Sequence, residues 1–199
     1  KPIVFRDVGR PTETDDELII PQSVKYAIVF VIPISRAATQ IAPATLMSHA
    51  ATSQGHGLAG LSEIAISEAI RTLGYNAIPC KKGVGQSVPM AIDAGLGQVG
   101  LHGHLITPDY GAHVVIGKVL TDMPLVPDKP IDFGTIDYCM RCGLCSEACP
   151  PSAIPRDIQK TIDLLPAGAR RSNHPEAQTW YIEGTKCLSW WAEAGAACR

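Results

Sequence analysis

Residues 24–34 are apolar at almost every position, rich in β-branched side chains, and ended by Pro33 and Ser35. A continuous apolar run of that length, without alternation, predicts a strand buried on both faces. From residue 43 to 73 the pattern changes. Leu58, Leu61, Ile64, Ala65, Ile66, Ala69, Ile70 and Leu73 recur near helical spacing, and Gly74 stands where a left-handed residue closes a helix. Residues 74–79 read as a turn into a short extended segment, and 88–94 as a short helix. Residues 104–108 and 113–120 read as strands split by the turn Pro108-Asp-Tyr-Gly111. Residues 1–22, with Gly9, Pro11 and the acidic patch Asp15-Asp16-Glu17, carry little pattern and predict loop. Pro124, Pro127, Pro130 and Gly134 mark a linker. Beyond it come a short helix over 156–165, a polar loop through Pro175 and a tryptophan-rich end.

Composition narrows the classes. A chain of 199 residues that is 46% hydrophobic with a net charge of −2 builds one domain, or one plus a small module. It has neither the basic excess of a nucleic-acid binder nor a long acidic tail. Its longest apolar stretch, 26–34, is too short to span a bilayer. No signal peptide is visible, and the chain opens at Lys1 without a methionine, so it reads as a piece of a longer protein.

The strongest chemical signal is Cys139-Met-Arg-Cys142-Gly-Leu-Cys145-Ser-Glu-Ala-Cys149-Pro150, which is C-x2-C-x2-C-x3-C-P. That is the spacing of bacterial ferredoxins, where three thiolates wrap one cubane and the fourth ligates a second. Structural zinc takes two separated C-x2-C pairs, and disulfide frameworks suit short secreted chains with small cores. The run therefore predicts iron–sulfur clusters and movement of single electrons. Setting Cys80 aside, six of the seven cysteines are candidate ligands: Cys139, Cys142, Cys145, Cys149, Cys187 and Cys198. Two cubanes need more, which predicts that a second cysteine run opens at Cys198 and continues beyond Arg199.

Other features are less specific. Gly95-Leu-Gly97-Gln-Val-Gly100 matches the dinucleotide fingerprint literally, but a helix-like segment precedes it and no helical pattern follows. It reads instead as glycines that serve tight turns or let backbone approach a bulky ligand or another strand. Cys80 reads as a buried inert thiol. The histidines show no zinc-enzyme spacing, and His102 and His104 would share a face of a possible strand. Trp180, Trp190 and Trp191 flank Cys187 and would wall a cluster from solvent, which helps set its potential.

An ordered series of segments carries a family likeness. Gly74-Tyr-Asn-Ala-Ile-Pro-Cys80, Ala91-Ile-Asp-Ala-Gly-Leu-Gly97, Leu105-Ile-Thr-Pro-Asp-Tyr-Gly111, Thr121-Asp-Met-Pro-Leu125 and Pro127-Asp-Lys-Pro-Ile-Asp132 precede the cysteine run and Cys187-Leu-Ser-Trp-Trp-Ala192. Over roughly residues 20–199 the chain resembles the corrinoid and iron–sulfur reductive dehalogenases. The resemblance implies an α/β (α+β) fold: an N-terminally incomplete, nitroreductase-like corrinoid-binding domain over 1–128, then a C-terminally truncated ferredoxin-like module with two [4Fe–4S] clusters over 129–199. It implies an oxidoreductase in which the clusters feed electrons to the cobalt of a cobalamin-type corrinoid and an organohalide loses halide. Gly95, Leu96, Gly97, Gly100 and Thr107 would contact the corrinoid. Cys139, Cys142 and Cys145 would hold one cluster with a ligand from beyond Arg199, and Cys149, Cys187, Cys198 and a further cysteine the other. An external electron donor is implied, and a membrane-anchor subunit is compatible. Respiratory members are exported and catabolic ones cytoplasmic, so the likeness leaves localisation open.

The chain departs from the family pattern at its catalytic positions. The slot of the proton-donating tyrosine falls on His56, Lys82 replaces an amide, and Val115 occupies the place of a basic residue. Imidazole, with an ordinary pKa near ~6.5, releases a proton without the cation that a phenol near ~10 requires. Lys82 would favour its neutral form by repulsion. His56 and Lys82 are thus the catalytic candidates, with a solvated helix end and loop as the bland reading. Two rivals stand beside this one: an epoxyqueuosine reductase-like cobalamin and iron–sulfur enzyme acting on a tRNA base, and an electron-transfer or corrinoid-binding module without turnover.

Overall fold

The computed structural model describes residues 2–43, 45–80, 84–155 and 182–195. It is a mixed α/β chain in two compact units: Lys1–Pro33, Gly55–Leu96 and Val115–Pro130 form the first, and Ile34–Gln54, Gly97–Val114 and Ile131–Arg199 the second. Among the described residues no helix is long and apolar enough to cross a membrane.

In the first unit, residues expected to be loop form a small sheet: β1 (Ile3–Arg6) runs parallel to β3 (Leu18–Pro21), and β2 (Thr12–Glu13) pairs antiparallel with β3. The runs Ile3-Val4-Phe5 and Leu18-Ile19-Ile20 supply β-branched residues, and Asp15-Asp16 turns the chain between strands. These strands are too short to show a period. Their pairing, which is long-range, defines them.

The main sheet has the order β4 (Tyr26–Pro33), β8 (Val114–Thr121), β5 (Ala77–Pro79), with β5 antiparallel to β8. Labels follow chain order, so β6 and β7 lie between β5 and β8. The expected strand at 26–33 forms, but as an edge strand it is half-buried rather than covered on both faces; the buried strand is the central β8. Gly117 of β8 lies under the Phe30 ring, where a Cβ would come within 2.3 Å of the ring's Cζ. Any larger residue there would force the Phe30 ring to move.

Helix α2 (Leu46–Thr72) ends at Gly74, whose φ of +91° suits a glycine. The Arg71 guanidinium reaches the Ala77 carbonyl at 2.7 and 3.1 Å and ties the helix end to β5. The helix turns Ala59, Glu63, Ser67 and Ile70 inward, while Leu61 is 66% and Leu73 is 68% exposed. Helical spacing alone favoured the leucines, but the carboxylate of Glu63 is drawn inward to accept the Lys118 backbone N–H at 2.9 Å. Ile70, Ala77 and Val119 form a core with Ile28, Ile66 and Met123 packed on it. Each fully buried branched side chain there stabilises the fold by roughly 1.5–3 kcal/mol. Helix α3 (Ser87–Asp93) completes the unit. A cavity of about 500 Å³, lined among others by Tyr26, Met90, Asp93, Val126 and Asp128, opens beside β4 and contains none of the expected site residues.

The second unit begins with α1 (Arg36–Thr39), capped by the Ser35 hydroxyl, which accepts the Ala38 N–H at 3.3 Å. Thr39 then hydrogen-bonds His113 Nδ1 at 2.8 Å. β6 (Gln98–Val99) and β7 (Leu105–Ile106) form an antiparallel hairpin. After the expected linker come α4 (Thr135–Cys142), α5 (Leu144–Glu147) and α6 (Gly184–Ala194). The core here is Leu101 and Cys139, with Ile106, Ile136 and Ile154 against them. The helix expected over 156–165 lies outside the described residues.

Candidate functional site

The cysteines sit on a helix–turn–helix whose geometry follows from its sequence. Cys139 and Cys142, three residues apart on α4, share a face. Gly143, at φ +67°, turns the chain into α5, which presents Cys145, and Cys149 follows at its end. Cys139 is buried in the core, and Cys142, Cys145, Cys149 and Cys187 are half-buried. No described cysteine is paired in a disulfide. Burial pushes the Cys145 thiol up, and the nearby Cys139 and Cys142 sulfurs add to this. For Cys187 burial acts first and the Cys149 sulfur second. The sulfurs therefore fall into two neighbourhoods, 139/142/145 and 149/187. Among the described residues, no three His, Cys, Asp or Glu side chains converge as a site for one ion.

Backbone bonds bring Cys149 and Cys187 together. The Ala153 N–H donates to Cys149 Sγ at 3.2 Å, and the Ala153 carbonyl accepts the Glu183 N–H at 2.9 Å. The Glu183 carbonyl in turn accepts the Cys187 N–H at 3.2 Å. On α6, Cys187, Trp190 and Trp191 line the half-buried side. The Trp191 indole Nε1 is sealed from solvent and has no hydrogen-bond partner among the described residues. Cys198 and Trp180 lie outside the described residues.

The glycine run is explained largely by the hairpin. A Cβ on Gly97 would stand 2.1 Å from the Ile106 carbonyl oxygen, and one on Gly100 would stand 2.6 Å from Ile106 Cδ1. Both glycines thus admit the opposite strand. Gly95, at φ +71°, closes α3, and the Leu96 N–H bonds the Ala91 carbonyl at 3.0 Å. A helix before the run and a hairpin after it is not the strand–loop–helix of dinucleotide sites. Thr107 is buried and spends its hydroxyl on its own turn, donating to the Gly111 carbonyl at 3.2 Å and accepting the Tyr110 N–H at 3.1 Å. His102 and His104 are ring neighbours at 5.4 Å, placed in the hairpin turn rather than on a strand.

His56 lies on α2, half-buried, on the side that carries Ala59 and Glu63, whereas Lys82 is outside the described residues. Cys80 is buried as expected, and burial raises its thiol pKa.

Three functional-looking features escaped the sequence reading. Lys118 is only 1% exposed, and its ammonium donates to the carbonyls of Val84 at 2.5 Å and Gly85 at 3.2 Å. Burial lowers its pKa. The Gln98 side-chain oxygen accepts the N–H groups of Phe133 at 3.0 Å and Thr135 at 3.2 Å, satisfying donors at the start of α4. Tyr138 lies near Cys142, and that sulfur raises the phenol pKa. The i, i+4 spacing of Tyr138 and Cys142 was a legible signal for the last of these. The first two had none.

No protein-family model matches the chain. It is 43% identical over 198 residues to the tetrachloroethene reductive dehalogenase of Sulfurospirillum multivorans, and covers 38% of that protein's length. It is 38% identical over 176 residues to the enzyme of that name from Desulfitobacterium hafniense, covering 31% of it. Epoxyqueuosine reductase of Bacillus cereus is 39% identical over 76 residues, 36% of this chain and 19% of that protein. Among solved structures, a catabolic reductive dehalogenase in complex with 3-bromo-4-hydroxybenzoic acid superposes with a TM-score of 0.71 at 24% identity, over 90% of this chain and 25% of that one. An epoxyqueuosine reductase bound to a tRNA stem loop gives 0.52 at 16% identity, over 67% of this chain and 37% of that one. The fold is shared with both groups, but the likeness in sequence over the full chain is to one of them. This chain belongs to the reductive dehalogenase family, spanning 38% and 31% of the length of these two relatives.

Proposed function

We propose that this chain is the cysteine-bearing portion of an oxidoreductase that removes halide from an organohalide. The balance is two electrons and one proton in, with a carbon–hydrogen bond formed and halide released. The observation that carries this reading is the C-x2-C-x2-C-x3-C-P run, folded on α4 and α5, in a chain 43% identical to a reductive dehalogenase. A single zinc ion needs four ligands within about 2.3 Å of one point. Sulfurs grouped as 139/142/145 and 149/187 suit two cubanes, each with irons at separate corners. The orphaned Trp191 N–H fits as well, because an iron–sulfur group would supply an acceptor that the described protein does not.

In this reading residues 1–128 are a nitroreductase-like corrinoid domain and 129–199 a ferredoxin-like module. Cys139, Cys142 and Cys145 hold one [4Fe–4S] cluster, and Cys149, Cys187 and Cys198 contribute to the second. When bound, a corrinoid would supply the cobalt that breaks the carbon–halogen bond. Gly95, Leu96, Gly97, Gly100 and Thr107 are the residues proposed to lie along it. His56, as imidazolium, delivers the proton from a ring nitrogen, and repulsion from Lys82 favours that release. An external donor supplies the electrons.

The test uses full-length protein purified without oxygen, assayed for iron, sulfide and cobalt, and then for halide release driven by a reduced viologen. Chlorinated ethenes are the first substrates to try, because relatives at 37–43% identity carry tetrachloroethene in their names. His56→Phe should lower turnover by about 10²-fold or more, the range for losing a positioned acid, with metal content unchanged. Full turnover in that variant removes His56 from the proposal. Absence of iron and sulfide from the parent protein removes the whole reading.

A further inference from the structure

Helix α6 turns one side inward, and that side carries Cys187, Trp190 and Trp191. Trp191 follows Cys187 by four residues, about one turn, so its indole lies along the same face as the thiol. The indole nitrogen can only donate, and a donor sealed from water is normally paired. Here Nε1 has no acceptor among the described residues. The backbone relay through Ala153 and Glu183 brings Cys149 to the same place, and its sulfur already accepts the Ala153 N–H at 3.2 Å. A lone donor one turn from Cys187 on the same helix face is where an added group with anionic sulfur would find a ready partner.

Resting on the cluster reading above, we propose that the Trp191 Nε1–H donates a hydrogen bond to a sulfur of the cluster held by Cys149 and Cys187, and thereby raises that cluster's reduction potential. A cluster gains negative charge on reduction, so a donor aimed at its sulfur stabilises the reduced form more than the oxidised one. No tryptophan stands on α4 or α5, the helices that carry Cys139, Cys142 and Cys145.

The experiment is a redox titration of the full-length, oxygen-free protein followed by electron paramagnetic resonance, comparing parent with Trp191→Phe. The expected result is a shift of one cluster's midpoint to more negative potential, with the other midpoint and the iron content unchanged. Two unchanged midpoints at full iron content overturn the proposal. Should Trp191→Phe fail to load, parent protein with 15N-labelled tryptophan decides. A hyperfine coupling from one indole nitrogen to a reduced cluster, kept in Trp190→Phe, supports it, and no coupling overturns it. A parent protein without iron and sulfide ends the cluster reading at the first assay and this proposal with it.

Discussion

One buried hydrophobic cluster in each unit shows a different chemistry. The first closes on branched aliphatics, with Ile70 and Val119 at the centre and Ile28, Ile66 and Met123 around them. In the second, a cluster among the described residues pairs Leu101 with the thiol-bearing Cys139. A core of hydrocarbon is complete once the chain has folded. A core that includes a candidate ligand depends on what that sulfur binds, so folding and metal loading become one equilibrium.

Three measurements sharpen the contrast. The largest effect is expected from Cys139→Ala in full-length protein purified without oxygen. It should lose roughly half of the bound iron, the share of one cubane in two, and its second unit should become open to limited proteolysis. Full iron content in that variant would break the comparison. Ile70→Ala is the matching test in the first unit. It should destabilise the protein by about 2–5 kcal/mol, read as a lowered denaturant midpoint, with iron per chain unchanged.

The smallest effect concerns acid. Burial pushes the Asp122 carboxyl up, but hydrogen bonds from the Asn76 side chain and backbone N–H, both 2.7 Å, and from Ser23 at 3.1 Å together hold it below 3.8. A carboxylate with a depressed folded value binds fewer protons folded than unfolded. Its contribution is complete above about pH 3.8 and is lost as pH falls through the folded value. Asp122→Asn should therefore flatten the acid limb of a stability-against-pH series. An acid limb as steep as the parent's would remove Asp122 as its source.

Legibility in the sequence followed the range of the interaction. β4, α2, α3 and β8 show in the chain because each sustains an apolar run or a helical pattern over seven or more residues. β1, β2 and β3 do not, because strands of two to four residues exist only through their partners. The inward face of α2 was hidden for a related reason. Glu63 turns inward because β8 offers it a backbone N–H, which no spacing within the helix announces. The cysteine spacing could be read directly, since chemistry that needs several thiols on one loop leaves a local mark. The buried indole donor of Trp191 leaves none. It emerges only when polar atoms are matched against acceptors in three dimensions.

Gln98 gives the glycine run a mechanical meaning. Its amide oxygen anchors the N–H groups of Phe133 and Thr135, so the first strand of the hairpin acts as a strut on the start of the cysteine-bearing helix. Anything that shifts the hairpin pulls two donors from their shared acceptor, and each stranded donor costs about 1–3 kcal/mol. The hairpin and the thiols at 139 and 142 are thus held to a common frame, and a substitution in the one is felt at the other.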